Sequence, residues 1–88
     1  MNDEQLEKKL REAIRINPND DESHTMLGHI LFDLSRHKEA MKEYRKAIRI
    51  NPNNIKAHQH LGYFLRYLHR YEESEKEFRK VSMIKWGI

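Results

Sequence analysis

The sequence contains no cysteine, so neither disulfides nor thiolate metal sites can reinforce a small core, and a thiol nucleophile is excluded. Proline and glycine are scarce, with 2 and 3 copies, which leaves long stretches free of helix breakers. Long hydrophobic runs are missing as well. Stretches such as Ile30-Leu31-Phe32 and Tyr63-Phe64-Leu65 fall far short of the roughly 20 apolar residues that a membrane-spanning helix requires. The polar, acidic Asn2-Asp3-Glu4 does not resemble the basic opening of a secretory signal, so a soluble cytoplasmic protein with no membrane partner is expected. Neither a glycine-rich phosphate loop nor a serine at a strand-to-helix elbow is present. Those absences leave no candidate catalytic residue and no cofactor, and the expectation is a protein that is not an enzyme.

What is present favours helices around a thin core. The 88 residues are 35% charged and 38% hydrophobic, rich in Leu, Ala, Glu, Lys and Arg, with a formal net charge of +3. That balance permits contact with nucleic acid without arguing for it.

Self-comparison is more informative than composition. Ala13-Ile14-Arg15-Ile16-Asn17-Pro18-Asn19 recurs as Ala47-Ile48-Arg49-Ile50-Asn51-Pro52-Asn53, an offset of 34 residues (47 − 13). The same offset maps His24 onto His58, Leu27-Gly28 onto Leu61-Gly62, Leu31 onto Leu65 and Tyr44 onto Phe78. Each period holds two helical stretches, because apolar residues return at three- and four-residue steps on either side of short polar breaks. Leu27, Ile30, Leu31 and Leu34 mark one stretch, and Ala40, Tyr44, Ala47 and Ile48 the next. Leu61, Phe64, Leu65 and Leu68, followed by Phe78 and Val81, repeat the pair. With Leu6, Leu10, Ala13 and Ile14 at the start, five helices result.

Pro18 and Pro52 punctuate helix ends, and Asp20 and Asn54 suit the N-cap positions that follow. Gly28 and Gly62 lie within helices at a cost of about 1 kcal/mol each against alanine, which implies a close approach by the partner helix that a Cβ would obstruct.

Leu27, Gly28, Leu31, Ala40, Tyr44, Ala47 and Pro52, and again Leu61, Gly62, Leu65, Tyr71 and Phe78, resemble the tetratricopeptide repeat, a 34-residue helix-turn-helix unit. The resemblance covers nearly the whole chain as a half repeat (residues 1–20) and two full repeats (21–54 and 55–88). Where the family usually has tryptophan this chain has His24 and His58. The interhelix glycine is Ser35 and His69, and the last closing proline is Trp86, which permits the final helix to run on. Ser74 and Val81 replace small alanines and should loosen the second repeat. The resemblance implies an all-α fold of antiparallel helix-turn-helix repeats stacked as a short right-handed α-solenoid. It also implies a protein-interaction module whose concave wall, lined by the first helix of each pair, holds a peptide or helix of a partner protein.

Laying the helical period on residues 21–34 and 55–68 places Glu22, Thr25, His29, Phe32 and Asp33 on the first inner strip, and Lys56, Gln59, Tyr63, Arg66 and Tyr67 on the second. The first inward helix carries acids and the second Lys56 and Arg66, so the expected groove is bipolar. It is complementary to a peptide with a carboxylate-bearing portion and an apolar or aromatic one. The asparagines of the carboxylate clamp used by chaperone-binding relatives have no counterpart, and that specialised activity is not expected.

Three further readings are open. Met83, Trp86 and Ile88 could self-associate, because the ends of a repeat array need a polar outer face. A stripe of Lys38, Lys42, Arg45 and Arg49 could attract nucleic acid, although Glu39 and Glu43 lie beside it and ordinary solvation explains it more simply. The chain could also be a structural fragment of a larger assembly. Metal binding is not expected, since His58 and His60 point to different faces of a helix and His24 and His58 stand where the family packs an aromatic. The acids after Tyr71 read as a solvated face with Glu72–Lys76 and Glu75–Arg79 pairs.

Overall fold

Five α-helices carry the chain in a computed structural model that describes residues 2–87: α1 (Asp3–Ile16), α2 (Asp21–Asp33), α3 (His37–Ile50), α4 (Ile55–Tyr67) and α5 (Tyr71–Trp86). No strand occurs among the described residues. Short polar turns connect successive helices, so neighbours run antiparallel, and α2 with α3 and α4 with α5 form the two hairpins. The architecture is a short α-solenoid of stacked hairpins, with α1 packed on α2 ahead of the first.

Local chemistry accounts for the helix starts. Asn2 caps α1 in a reciprocal box, its Oδ1 accepting from the Gln5 amide at 2.9 Å while its own amide donates to Gln5 Oε1 at 3.2 Å. Asp20 caps α2, accepting from the Ser23 hydroxyl at 2.8 Å and the Ser23 amide at 3.4 Å, and Asn54 caps α4, accepting from the Ala57 amide at 2.9 Å. Both are the caps expected from sequence.

The hairpin turns show how the chain manages without glycine. At the end of α2 the Ser35 amide donates to the Phe32 carbonyl and the Arg36 amide to that of Leu31, at 2.9 and 2.8 Å. His69 and Arg70 repeat the pattern on Arg66 and Leu65 at the same distances. This closure requires a left-handed residue, and Ser35 and His69 adopt it at φ of 61° and 62°. No proline ends α5, which runs through Trp86 to a left-handed Gly87.

Leu27, Leu31, Ala40, Tyr44, Ala47, Ala57, Leu61, Phe64 and Leu65 are buried between the hairpins. The neighbour at Gly28 and Gly62 is an aromatic ring of the partner helix rather than its backbone. A Cβ on Gly28 would lie 2.7 Å from Tyr44 Cε1, and one on Gly62 would lie 2.9 Å from Phe78 Cζ. Ser74 corrects the expected loosening. It is buried, and its hydroxyl donates to the Gly62 carbonyl at 2.8 Å, adding a cross-helix hydrogen bond where the first repeat has Ala40. On the solvated face of α5, Arg79 meets Glu75 at 3.4 Å as expected. The Glu72–Lys76 pair does not form, and Arg70–Glu73 and Lys80–Glu77 contacts stand there instead.

Left-handed backbone costs a residue with a Cβ about 1–2 kcal/mol, of which glycine's larger unfolded-state entropy returns a part. Ser35→Gly and His69→Gly should therefore each raise stability in urea denaturation by about 0.5–1 kcal/mol. A loss in both variants would contradict the turn geometry.

Candidate partner-binding groove

The spacing of the helices identifies the inner wall. α2 approaches α4 directly, whereas no Cα of α1, α3 or α5 comes within 8 Å of a Cα of another of these three. The first helices of the hairpins therefore lie on the inside of the curve, and the second helices splay outside.

A polar seam fixes α2 against α4. Asp21 Oδ2 accepts from Asn51 Nδ2 at 3.1 Å and from Asn54 Nδ2 at 2.8 Å, and Asn54 Nδ2 also reaches Thr25 Oγ1 at 3.1 Å. The Thr25 hydroxyl donates to the Asp21 carbonyl at 2.9 Å. Thr25 is consequently buried in the seam rather than presented on a free strip. Further along, the His29 ring lies 5.0 Å from that of His60, and Phe32 packs edge-on to Phe64 and Tyr67 at 5.3 and 5.5 Å.

These contacts reassign part of the sequence-derived strip. Thr25, His29 and Phe32 are the positions by which α2 receives α4, and the 34-residue offset maps them onto Gln59, Tyr63 and Arg66. Those three occupy the outer stacking face of α4, where no further helix follows among the described residues. Tyr63 lies 5.1 Å from the Phe78 ring, and the Arg66 guanidinium sits 5.6 Å above it. A helical wheel locates an exposed face without saying from which side the neighbour arrives, so it merged the two surfaces.

The inner wall proper carries Glu22, Met26 and Asp33 on α2, and Lys56, His60 and Tyr67 on α4. Met26 and Tyr67 are 53% and 60% exposed and so offer apolar area on this wall. Glu22 and Lys56 border a cleft of about 320 Å³ that also takes in Met26, Asn53 and Ile55, and neither charge has an ion-pair partner among the described residues. His29 Nε2 lies 3.6 Å from Asp33 Oδ2. Met26 and His60 were missed from sequence. They occupy one offset position, and the chemistry differs between copies there, a variation that marks surface rather than core.

Behind the wall lies a second feature that sequence did not announce. His24 donates from Nε2 to the Pro18 carbonyl at 2.8 Å, and its Nδ1 lies 2.7 Å from Glu43 Oε1. His58 repeats this on Pro52 at 2.7 Å and Glu77 at 2.7 Å. A carbonyl can only accept, so each Nδ1 contact is bridged by one proton held on either partner, and each pair is neutral overall. Both ring nitrogens are thus engaged inside the protein, one by the loop that closes the preceding repeat and one by the second helix of the same hairpin. Lys46 and Lys80, again 34 residues apart, lie 3.6 and 3.5 Å from the second oxygens of the two carboxylates. At the C-terminal end Met83 and Trp86 are 58% and 71% exposed, and Ile88 lies outside the described residues.

Electrostatics at the seam centre on His60, which stacks on Tyr44 with ring centroids 5.8 Å apart. Burial pushes the His60 pKa below its ordinary value of 6.5, His29 and Lys56 push the same way, and Asp33 opposes them. Burial also pushes the Tyr44 hydroxyl up, with Asp33 adding to the effect. The unfolded chain takes up a proton at His60 that the folded chain refuses until lower pH. This contribution to stability is therefore complete above 6.5 and declines as pH falls below it. Urea midpoints should drop on acidification through that range, and less steeply in His60→Gln. Equal declines in both proteins would contradict this assignment.

Comparison with known proteins agrees with this geometry. A family model described as TPR repeat matches residues 28–65, and one described as tetratricopeptide repeat matches residues 55–85. Curated protein sequences give no match. Among solved structures, a crystal structure of MamA superposes with a TM-score of 0.84 at 26% identity, covering 90% of this chain and 46% of that one. A MamA AMB-1 structure gives 0.79 at 26% identity, covering 90% and 47%, and a further MamA crystal structure gives 0.77 at 25%, covering 93% and 48%. The chain thus spans about half the length of these neighbours. The 34-residue register, the stacked hairpins and both family matches agree: the chain belongs to the tetratricopeptide repeat family and is built as a protein-interaction scaffold.

Proposed function

We propose that the inner wall of α2 and α4 binds a peptide or helix of a partner protein, and that the chain has no catalytic role. The observation that carries this reading is one open cleft where the exposed, apolar Met26 stands beside the unpaired charges Glu22 and Lys56, with the exposed Tyr67 at the far end of α4. Core packing does not explain the identities of Glu22, Met26 and Lys56. A carboxylate-bearing portion of the ligand would lie against Lys56, and an apolar or aromatic portion against Tyr67 and the edge of Phe32. The scaffold divides into a half repeat (residues 1–20) and two full repeats (21–54 and 55–88). The starts of α2 at Asp21 and α4 at Ile55 support this division. No helix among the described residues is long and apolar enough to cross a membrane, and the partner is sought among proteins of the cytoplasm.

A second reading rests on the exposure of Met83 and Trp86, through which two copies could associate. Light scattering over a concentration series separates the two, since a strict monomer at high concentration removes the second.

The inner-wall reading is tested by capture from a cell lysate with the wild-type chain and with a Lys56→Glu/Tyr67→Ala variant. Both substituted side chains are exposed, so circular dichroism should be unchanged. Recovery of the bound partner should fall by about tenfold or more, as expected when a charge and an aromatic anchor are both lost. An identical set of captured proteins from the two would refute the reading.

A further inference from the structure

The two repeats differ in what fills one equivalent notch on the outer layer. In the first, Glu7 of α1 reaches across to the α2–α3 turn, where both its carboxylate oxygens accept from Arg36 Nη1 at 2.9 Å. Arg36 simultaneously donates from Nε to Glu39. The notch is closed by a carboxylate on a guanidinium, and the Glu7 side chain is only 14% exposed.

In the second repeat the offset of 34 places Met41 where Glu7 stands and Arg70 where Arg36 stands. Arg70 donates from Nε and Nη2 to Glu73 at 2.9 and 2.8 Å. Its Nη1, the counterpart of the group that grips Glu7, has no acceptor among the described residues. A cleft of about 420 Å³ stays open between α3 and the α4–α5 turn. It is floored by Met41, Phe64 and Leu68 and rimmed by Lys38, Lys42 and Arg70. Neither lysine has an ion-pair partner among the described residues.

We propose that this cleft is a second recognition site, separate from the inner groove, for an acidic amphipathic segment of a partner protein. A Glu or Asp of that segment takes on Arg70 the place that Glu7 takes on Arg36. A neighbouring Leu, Ile or Met covers the floor of Met41, Phe64 and Leu68. The charge is complementary and the floor is apolar, and the molecule's own first repeat supplies the pattern for the bound carboxylate. A phosphate backbone would satisfy the three cations and the adjoining Arg45 and Arg49 but would leave the apolar floor uncovered, so a peptide is the better fit.

The test titrates the isotope-labelled full chain with an amphipathic peptide of glutamate and leucine, and with its twin carrying glutamine for glutamate, monitored by amide chemical shifts. Shifts should centre on Met41, Leu68 and Arg70, and the glutamine twin should bind about tenfold more weakly or worse. Met41→Glu supplies the missing carboxylate from within. It should keep the melting temperature and lose the peptide by a similar factor, while Arg70→Gln should abolish the preference for glutamate over glutamine. Arg70→Gln decides the matter if Met41→Glu does not fold. Equal binding of the twins overturns the proposal, as does undiminished binding by Met41→Glu. So do peptide shifts confined to Lys56 and Tyr67, or an RNA oligonucleotide that shifts Lys38, Lys42, Arg45 and Arg49 while the peptide shifts nothing.

Discussion

Everything in this molecule is spaced by the contact between a glycine and an aromatic ring. Tyr44 lies against Gly28 so closely that a Cβ there would sit 2.7 Å from Cε1, and Phe78 repeats the contact on Gly62. The glycine sacrifices about 1 kcal/mol of helix propensity, and the ring it admits removes well over that in apolar area from water. Because α2 can approach α3 this closely, Leu27, Leu31, Ala40 and Ala47 close to solvent behind it. The hairpin thereby becomes a rigid unit able to stack. The inner wall and the outer clefts are consequences of that stacking, since each is defined by which helix face the neighbouring hairpin does or does not cover.

A polar tie reinforces the apolar one. His24 and His58 bind the carbonyl of the preceding loop proline on one side and a carboxylate of the following helix on the other, so each histidine ties the loop that closes one repeat to both helices of the next. Such a group fits the position where related repeats place an aromatic, because it keeps the planar shape and adds direction. The cost of burying the carboxylate is offset by the shared proton and by Lys46 or Lys80 at the rim.

Much of this was legible in the sequence, because a repeat offset is a statement about three dimensions. The five helices, the Asp20 and Asn54 caps and the close approach at Gly28 and Gly62 all follow from one register, whereas the left-handed backbone of Ser35 and His69 emerged only from the structure. What escaped was direction around a helix. Thr25 and Phe32, like their counterparts Gln59 and Arg66, lie off the most apolar stripe and so read as groove. In the structure Thr25 and Phe32 meet the neighbouring hairpin, and Gln59 and Arg66 hold the equivalent positions on α4. The His24–Glu43 tie escaped because its partners are 19 residues apart on different helices. Its signal was nevertheless present: Pro18, His24, Glu43 and Lys46 all recur 34 residues later. The Met41 cleft, conversely, arises from a difference between copies, the replacement of Glu7 by an apolar residue at the equivalent position.

The close glycine contact is tested most directly by a double-mutant cycle of Gly28→Ala with Tyr44→Leu, followed by chemical denaturation. With Tyr44 in place, the added methyl should lower stability by about 1 kcal/mol or more, because overpacking outweighs helix propensity. In the Tyr44→Leu background, with the ring gone, the same substitution should become neutral or stabilising, giving a coupling of about 1–2 kcal/mol. An alanine at residue 28 that stabilises both backgrounds equally would show that the ring does not set the spacing of the helices, and the account built on that spacing would fail.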